Sequence, residues 1–355
     1  MFEILVVNPG STSTKIGWFS DTKKIFVQNI PHSTEQISQF HRIVDQKDVR
    51  KDIILKLLKE KKFDISRLSA VVGRGGLLRP IASGTYTVNE QMLRDLEQGL
   101  QGEHASNLGG IIAYEIAHPL GIPSFIVDPV VVDEMDELAK LSGLPVITRR
   151  SIFHALNHKA VGRKIAKEYF NKSYEDMNFI IAHLGGGVSV AAHRRGKVVD
   201  VNNALNGDGP FAPERAGGLP VWDTIELTLS GKYSKDELKK LCAGKGGVVA
   251  YLGTSDMKEV ASRIDDGDGE AKKIVDGMVY QISKEIGGLG AVLEGRVDAI
   301  ILTGGLAHYK YLVDEIKRKV EYISKVIVCP GEDEMEALAF GALRVLKNEE
   351  KPKEY

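Results

Sequence analysis

The sequence predicts an α/β protein whose two halves are built on one duplicated unit. Three observations lead there. Short apolar runs of strand composition alternate with amphipathic helical stretches along most of the chain, which argues for layered sheet and helix. A strand–turn–strand–turn–strand pattern near the start recurs at residues 178–200. In the two copies Asn8 and His183 fall at matching places, as do Gly10 and Gly185, the mark of an internal repeat.

The elements follow in order. Glu3 to Val7 is a strand that breaks at Asn8-Pro9-Gly10 and resumes at Ile16–Phe19; a turn at 21–24 leads to a third strand at Ile25–Val27. Asp48–Lys61 reads as a helix with apolar Ile53, Ile54, Leu57 and Leu58. Leu68–Val72 is a strand ending in "GRGG", and Asn89–Gly99 a helix with Asn89 as N-cap. Gly109–Ala117 is a helix halted by Pro119, Ser124–Val127 a strand ending at Asp128-Pro129, and His154–Phe170 a long amphipathic helix. In the second copy Phe179–Ala182, Val188–Ala191 and Val198–Val199 are strands, joined by "HLGGG" and "RRGK" turns. Beyond it come helices at Trp222–Leu229, Lys235–Leu241 and Ala271–Leu293, and a strand at Asp298–Leu302 ending in "TGG". A helix at Tyr309–Tyr322, a strand at Lys325–Val328 and a helix at Glu334–Leu346 complete the chain.

Composition narrows the class. At about 150 residues per domain, 355 residues suggest two domains. No linker is Pro- or Ser-rich, so the halves are expected to pack around a cleft. Lys+Arg 47 against Asp+Glu 48 gives a net charge of -1, which offers nothing for nucleic acid or an anionic membrane to grip. The two cysteines, Cys242 and Cys329, have no metal-ligand spacing. The N-terminus lacks the basic flank of a signal peptide, and no apolar run approaches the ~20 residues of a membrane span. A soluble cytoplasmic protein is expected.

The 37 glycines cluster in turns that follow strands: "NPGSTSTK", "GRGG", "HLGGG" and "TGG". Glycine lets backbone N–H groups approach an anion, and hydroxyls in such a turn add donors. There is no G-x-x-x-x-G-K-[ST], and no G-x-G-x-x-G opening a helix, so neither a P-loop nor a Rossmann site is supported. His154 and His158 stand i, i+4 on a helix, a spacing that can hold a metal, but no third ligand accompanies them.

Two strand–turn–strand units followed by a strand–"TGG"–helix resemble the actin-like phosphotransferase fold: two ribonuclease H-like domains related by duplication, with a nucleotide cleft between them. Longer motifs sharpen the resemblance. "VNPGSTSTK" (7–15), "RRSIFHALNHKAVGRK" (149–164), "HLGGGVSVAAHRRGKVVDVNNALNGDGPFAPERAGGLP" (183–220) and "ILTGGLAH" (301–308) resemble the acetate kinase family. The "HALNH", "NNALNGDGPF" and "PERAGGLP" segments look like its butyrate kinase branch. The resemblance implies reversible transfer of a phosphoryl group from ATP to a small carboxylic acid, with ADP and an acyl phosphate as products. Acetate/propionate-type kinase, sugar kinase and non-metabolic ATPase are the alternatives.

That chemistry needs positioning and cationic stabilisation of spreading charge. The carboxylate acceptor is already ionised, so no general base is required. By resemblance, Arg74 binds the substrate carboxylate and Arg215 is a second active-site arginine; a planar fork suits both tasks. His154 matches a donor to the transferring phosphoryl, and His183 a nucleotide contact; His158 is expected to pack or to face solvent. Asn8, Ser11, Ser13 and Lys15 match the first phosphate turn, Gly185, Gly186 and Gly187 the second, and Gly304 and Gly305 the adenosine side. Asp128 matches a carboxylate that orients the site or holds Mg²⁺ through water. Of Glu332, Asp333 and Glu334, one matches a second Mg²⁺ carboxylate, and the sequence does not choose among them. Acetate kinases carry Gly-Thr-Ser where this chain has Ala155-Leu156-Asn157, and the stretch around Asp128 is altered. A longer acyl chain is therefore expected, with Phe153 and Pro129 at its wall. The resemblance returns the last helix to the first half. This gives residues 1–148 plus 330–355 as the carboxylate-binding domain and 149–329 as the nucleotide-binding and oligomerisation domain, in a homodimer or higher homo-oligomer.

Overall fold

The computed structural model describes residues Met1–Tyr355, the side chains of residues 34 and 36 excepted. The chain divides into two compact units, Met1–Val132 with Asp333–Tyr355, and Asp133–Glu332. The first junction precedes the expected residue 148 because the intervening stretch bonds into the second unit. Asp136 N donates to Val199 O, and Glu134 accepts from Lys159 Nζ at 2.6 Å.

Unit 1 holds β1 (Glu3–Pro9), β2 (Ser13–Ser20), β3 (Lys23–Pro31), β4 (Ala70–Arg74), β5 (Thr85–Thr87) and β6 (Ser124–Val127). Their order in the sheet is β3-β2-β1-β4-β6-β5. The first three are antiparallel neighbours, and β4 and β6 run parallel to β1. β1 is buried along its whole length, which explains its unbroken apolar run. The helices Asn107–Ala117 and Glu334–Leu346 both pack on it. β4 runs two residues later than the sequence suggests, because its parallel register pairs Ile4 with Ala70 and Val7 with Gly73. Arg74 is thus the last residue of the strand, opposite Val127 of β6. Beside Arg74 the helix approaches the strand at its glycines. A Cβ on Gly73 would strike the Gly109–Gly110 backbone, and one on Gly109 the backbone of Arg74.

Unit 2 holds β7 (Asn178–Leu184), β8 (Val188–Arg194), β9 (Lys197–Val201), β10 (Ala299–Gly304) and β11 (Val326–Pro330), in the order β11-β10-β7-β8-β9. Again an antiparallel three-strand meander is followed by two strands parallel to its first. The second strand carries a register shift in both meanders, at Trp18/Phe19 and at Ala192/His193. The duplication read from the turns therefore extends to five strands and a shared irregularity. One face of the sheet packs on the helices Gly269–Val292 and Lys310–Val320, the other on Ala155–Phe170.

The helix at 89–99 forms as Glu90–Gln98, with Asn89 accepting from Met92 N as its cap. The short β5 and the helices Val248–Leu252 and Met257–Asp265 were not anticipated. Among the described residues, no helix is long and apolar enough to cross a membrane.

Candidate active site

In unit 1 the ends of β1 and β4 bring three predicted residues together. Asn8 Nδ2 donates to Glu334 Oε2 at 2.7 Å, and Arg74 Nη1 donates to the same oxygen at 3.0 Å and to Asn8 Oδ1 at 3.4 Å. Glu334 opens the last helix, which supplies a carboxylate to this corner. Nε and Nη2 of Arg74 have no partner among the described residues, and its side chain is 27% exposed. Asp128 follows Val127, the residue opposite Arg74, in unit 1. It is buried, with φ +38°, a left-handed value uncommon outside glycine. Its Oδ1 accepts from Ser83 Oγ at 2.6 Å and Gly84 N at 2.8 Å, so this carboxylate holds a turn. Pro129 is buried against Gly75, the residue after Arg74.

The first glycine turn closes through Gly10 N donating to Ser13 O at 2.7 Å. Ser11 and Lys15 are exposed and Ser13 is half-buried. Sequence reasoning missed what lies beneath. Arg50, 2% exposed, donates to Gly10 O (2.8 Å), Ser13 O (3.2 Å), Ser11 O (3.3 Å) and Thr14 Oγ1 (3.1 Å), and twice to Gln46 Oε1. Among the described residues no carboxylate pairs with it, and burial pulls its guanidinium down to about 10. With the carbonyls held from below, this buried cation backs the turn. The signal was present: Arg50 shares the buried face of its helix with Ile54 and Leu58, where an arginine is out of place. His32 shares Thr14 Oγ1 at 2.8 Å; burial and the nearby Arg50 charge lower it to about 4.

In unit 2 the second glycine turn, Gly185–Gly187, collects the other motifs. Glu214 N donates to Gly186 O at 3.2 Å, which docks the "PERAGG" loop on the turn. Arg215 lies across Gly187, where any Cβ would collide with its guanidinium, and Nη1 donates to Ala204 O. Burial lowers this arginine from its ordinary value, an effect that Glu214 opposes. Gly304, at φ +89°, leaves no room for a side chain against the Leu184 backbone. The "TGG" turn, with Gly305, therefore abuts the same loop.

The predicted histidines stand together. His154 stacks on His183 with ring centroids 3.8 Å apart. His183 Nδ1 lies 3.0 Å from Asn157 Oδ1, and its Nε2 lies 3.1 Å from Glu332 Oε1. Glu332 therefore serves unit 2 and Glu334 serves unit 1, a division the sequence left open. His158 is fully buried and packs rather than facing solvent. His154 Nδ1 and His158 Nε2 each lie 2.9 Å from Ser189 Oγ, so the i, i+4 pair meets a hydroxyl. Among the described residues, no group of three or more His, Cys, Asp or Glu is placed to hold a metal. Phe153, 2% exposed, meets the His158 ring edge-on at 5.2 Å as a packing partner.

Residues 134–323, more than half of the chain, match the acetokinase family. The structure is similar to acetate kinase from Porphyromonas gingivalis: TM-score 0.79, 22% identity, covering 98% of this chain and 100% of that one. It is also similar to a propionate kinase from Francisella tularensis (TM-score 0.75, 19% identity, 96% and 98%). Acetate kinase from Entamoeba histolytica is a third such structure (TM-score 0.74, 17% identity, 96% and 98%). At these identities the likeness is one of fold.

Proposed function

The chain belongs to the acetokinase family, and from that premise we propose that it transfers the γ-phosphoryl group of ATP reversibly to a short-chain fatty acid, butyrate or a branched relative. The observation that carries the reading is the edge of Arg74. Its Nη1 is fixed by Glu334 and Asn8, while Nε and Nη2 have no partner among the described residues and the side chain is partly exposed at the end of β4. Two parallel N–H groups of this kind match a carboxylate bidentately.

The acceptor oxygen attacks phosphorus in line, and the P–O bond to ADP breaks as the acyl phosphate bond forms. In unit 1 the Arg50-backed turn, and in unit 2 Arg215 on its own glycine turn, each offer positive potential to an anion. His154 donates a hydrogen bond to the transferring phosphoryl. A Mg²⁺ ion needs one or two carboxylates and keeps several waters. Glu334 fits, because both of its donors meet Oε2 and Oε1 makes no hydrogen bond among the described residues. When bound, the ion would neutralise charge on the phosphates, with Glu334 and Asn8 holding it. An acceptor longer than acetate rests on the altered sequence around Asp128, where each further buried CH₂ would contribute about 0.8 kcal/mol. A hydroxyl acceptor would require a base. The carboxylate considered for that task, Asp128, accepts from Ser83 and Gly84 through one oxygen, Oδ1.

Hydroxylamine traps acyl phosphates. Incubation with ATP, Mg²⁺ and linear or branched acids of about two to six carbons should give hydroxamate, greatest near four carbons, where the added buried CH₂ groups favour binding. A maximum at two or three carbons would return the specificity to acetate or propionate. ATP hydrolysis without hydroxamate would remove the carboxylate acceptor altogether.

A further inference from the structure

Behind His154, unit 2 contains a row of polar side chains for which phosphoryl transfer has no direct use. Tyr174 OH meets His193 Nδ1. His193 Nε2 lies 3.2 Å from His158 Nδ1. His158 Nε2 and His154 Nδ1 both reach Ser189 Oγ at 2.9 Å. Tyr174, His193, His158 and Ser189 are at most 3% exposed, and His154 at the end of the row is half-buried. The alignment is a product of the fold. Ser189 and His193 point to one side of β8, four residues apart. His154 and His158 face them from the start of the long helix, also four residues apart. The register shift at Ala192/His193 falls at the ring that meets Tyr174.

Burial holds both inner histidines well below their ordinary value, and the Lys159 charge adds to the effect. Each is therefore a neutral imidazole with one donor and one acceptor nitrogen. Ser189 Oγ meets no other partner among the described residues, so its O–H is donated within the row, and the row can then be ordered in two ways. In the outward order, Tyr174 O–H donates to His193 Nδ1 and His193 Nε2–H to His158 Nδ1. His158 Nε2–H then donates to Ser189 Oγ, and Ser189 O–H to His154 Nδ1. His154 is left with its proton on Nε2. In the inward order every bond reverses, and His154 Nε2 carries a lone pair. One feature favours the outward order: a phenol, with a pKa of ~10, is a stronger donor than an alcohol. Lys159 Nζ and Arg163 lie over the Tyr174 ring, each 5.7 Å from its centroid, but Lys159 is paired with Glu134 at 2.6 Å, so their charge does not decide the direction.

We propose that the Tyr174–His193–His158–Ser189 row is a positioning device that fixes His154 as its Nε2–H tautomer, a hydrogen-bond donor at all times. The proposal rests on the reading that His154 donates to the transferring phosphoryl, because a lone pair there would repel that anion. Tyr174, His193, His158 and Ser189 are positioning residues that act through His154 and touch no substrate.

The test is long-range ¹H–¹⁵N NMR of the full chain labelled in histidine, which reads each ring's tautomer whether or not any acid is turned over. Wild-type His154 should be the Nε2–H form. Tyr174→Phe removes only the hydroxyl that sets the direction, and should give His154 a mixture of tautomers. In the hydroxamate assay kcat should then fall about tenfold, part of the ~100-fold that outright loss of a transition-state donor costs, with KM for ATP and acid unchanged. Ser189→Ala should act likewise, and Ser189→Thr, which keeps the hydroxyl, should restore wild-type behaviour. An Nδ1–H His154 in the wild type overturns the proposal without recourse to any variant. So does a tautomer indifferent to Tyr174→Phe. Failure of the carboxylate kinase reading itself would show only in the absence of hydroxamate.

Discussion

Replacing Arg50 with methionine separates two contributions of its guanidinium. One is to hold four acceptors of the first glycine turn: the carbonyls of Gly10, Ser11 and Ser13, and the Thr14 hydroxyl. Left to find water in a part-buried setting, these cost about 1 kcal/mol each, or ~4 kcal/mol together. Against this, burial already lowers the guanidinium from its ordinary value to about 10. At ~1.4 kcal/mol per pKa unit, that is ~3 kcal/mol of desolvation that a methionine avoids. The two nearly cancel, and the fold should lose only ~1 kcal/mol, about 2 °C in Tm. The second contribution is the charge, which nothing offsets. At an effective dielectric of about 20, a unit charge roughly 8 Å from an anion contributes ~2 kcal/mol, about thirtyfold in affinity. Titration calorimetry with ATP, beside scanning calorimetry of the same samples, should show Kd raised about thirtyfold with Tm almost unmoved. Arg50→Lys keeps the charge and loses the fork, so it should recover most of the affinity. A well-folded Arg50→Met that binds ATP as the wild type does would refute the charge argument.

Three further expectations can be checked with the same reagents. Arg74→Ala should lower kcat/KM for the acid by about 10²–10³ while calorimetric ATP binding survives; near-normal turnover would take Arg74 out of the site. Gly187→Ala drives a methyl into the Arg215 guanidinium and should lower both Tm and turnover. Adding Arg215→Ala should restore Tm but not turnover, and a cycle with no such coupling would mean that the two residues do not touch. Because the fold keeps His32 neutral, the unfolded chain binds the extra proton below pH 6.5. Its contribution is therefore complete above 6.5 and lost as pH falls toward 4, about 3 kcal/mol in all. His158 and His193 act in the same direction. Urea midpoints between pH 7.5 and 4 should show the loss, and His32→Gln should flatten the curve; an equally steep curve in the variant would place the proton elsewhere.

Much of the fold was legible because several strands end in a glycine turn and each long helix carries its own apolar stripe. Asn89 even announced its cap. The three-residue β5 lacked the length to give a pattern, and β4 shifted because its partner β1, not its own residues, sets the register. At the candidate site, Arg74, Asn8, Arg215, His154 and His183 were singled out through motifs, and each stands beside other singled-out residues of its own unit. What escaped were groups that act on the backbone or on one another. Arg50 looked like one more charge in a lysine-rich helix, and His193 and Tyr174 like polar residues near turns. A row of hydrogen bonds that joins residues 154 to 193 leaves no periodic trace in sequence. The choice between Glu332 and Glu334 needed coordinates as well, since two residues decide which unit a carboxylate serves.

The glycine seam between β4 and the Asn107–Ala117 helix has a consequence for anyone who would resize the acceptor pocket. Where Gly73 meets Gly109, peptide plane rests on peptide plane. Such a joint contains no χ angle, so no choice of rotamer can lengthen or shorten it. The Cα of Arg74, one residue beyond, is a fixed datum in unit 1. A change of substrate length has to be made at side chains facing that datum, with Pro129 the first to try, because the strand itself offers no adjustment.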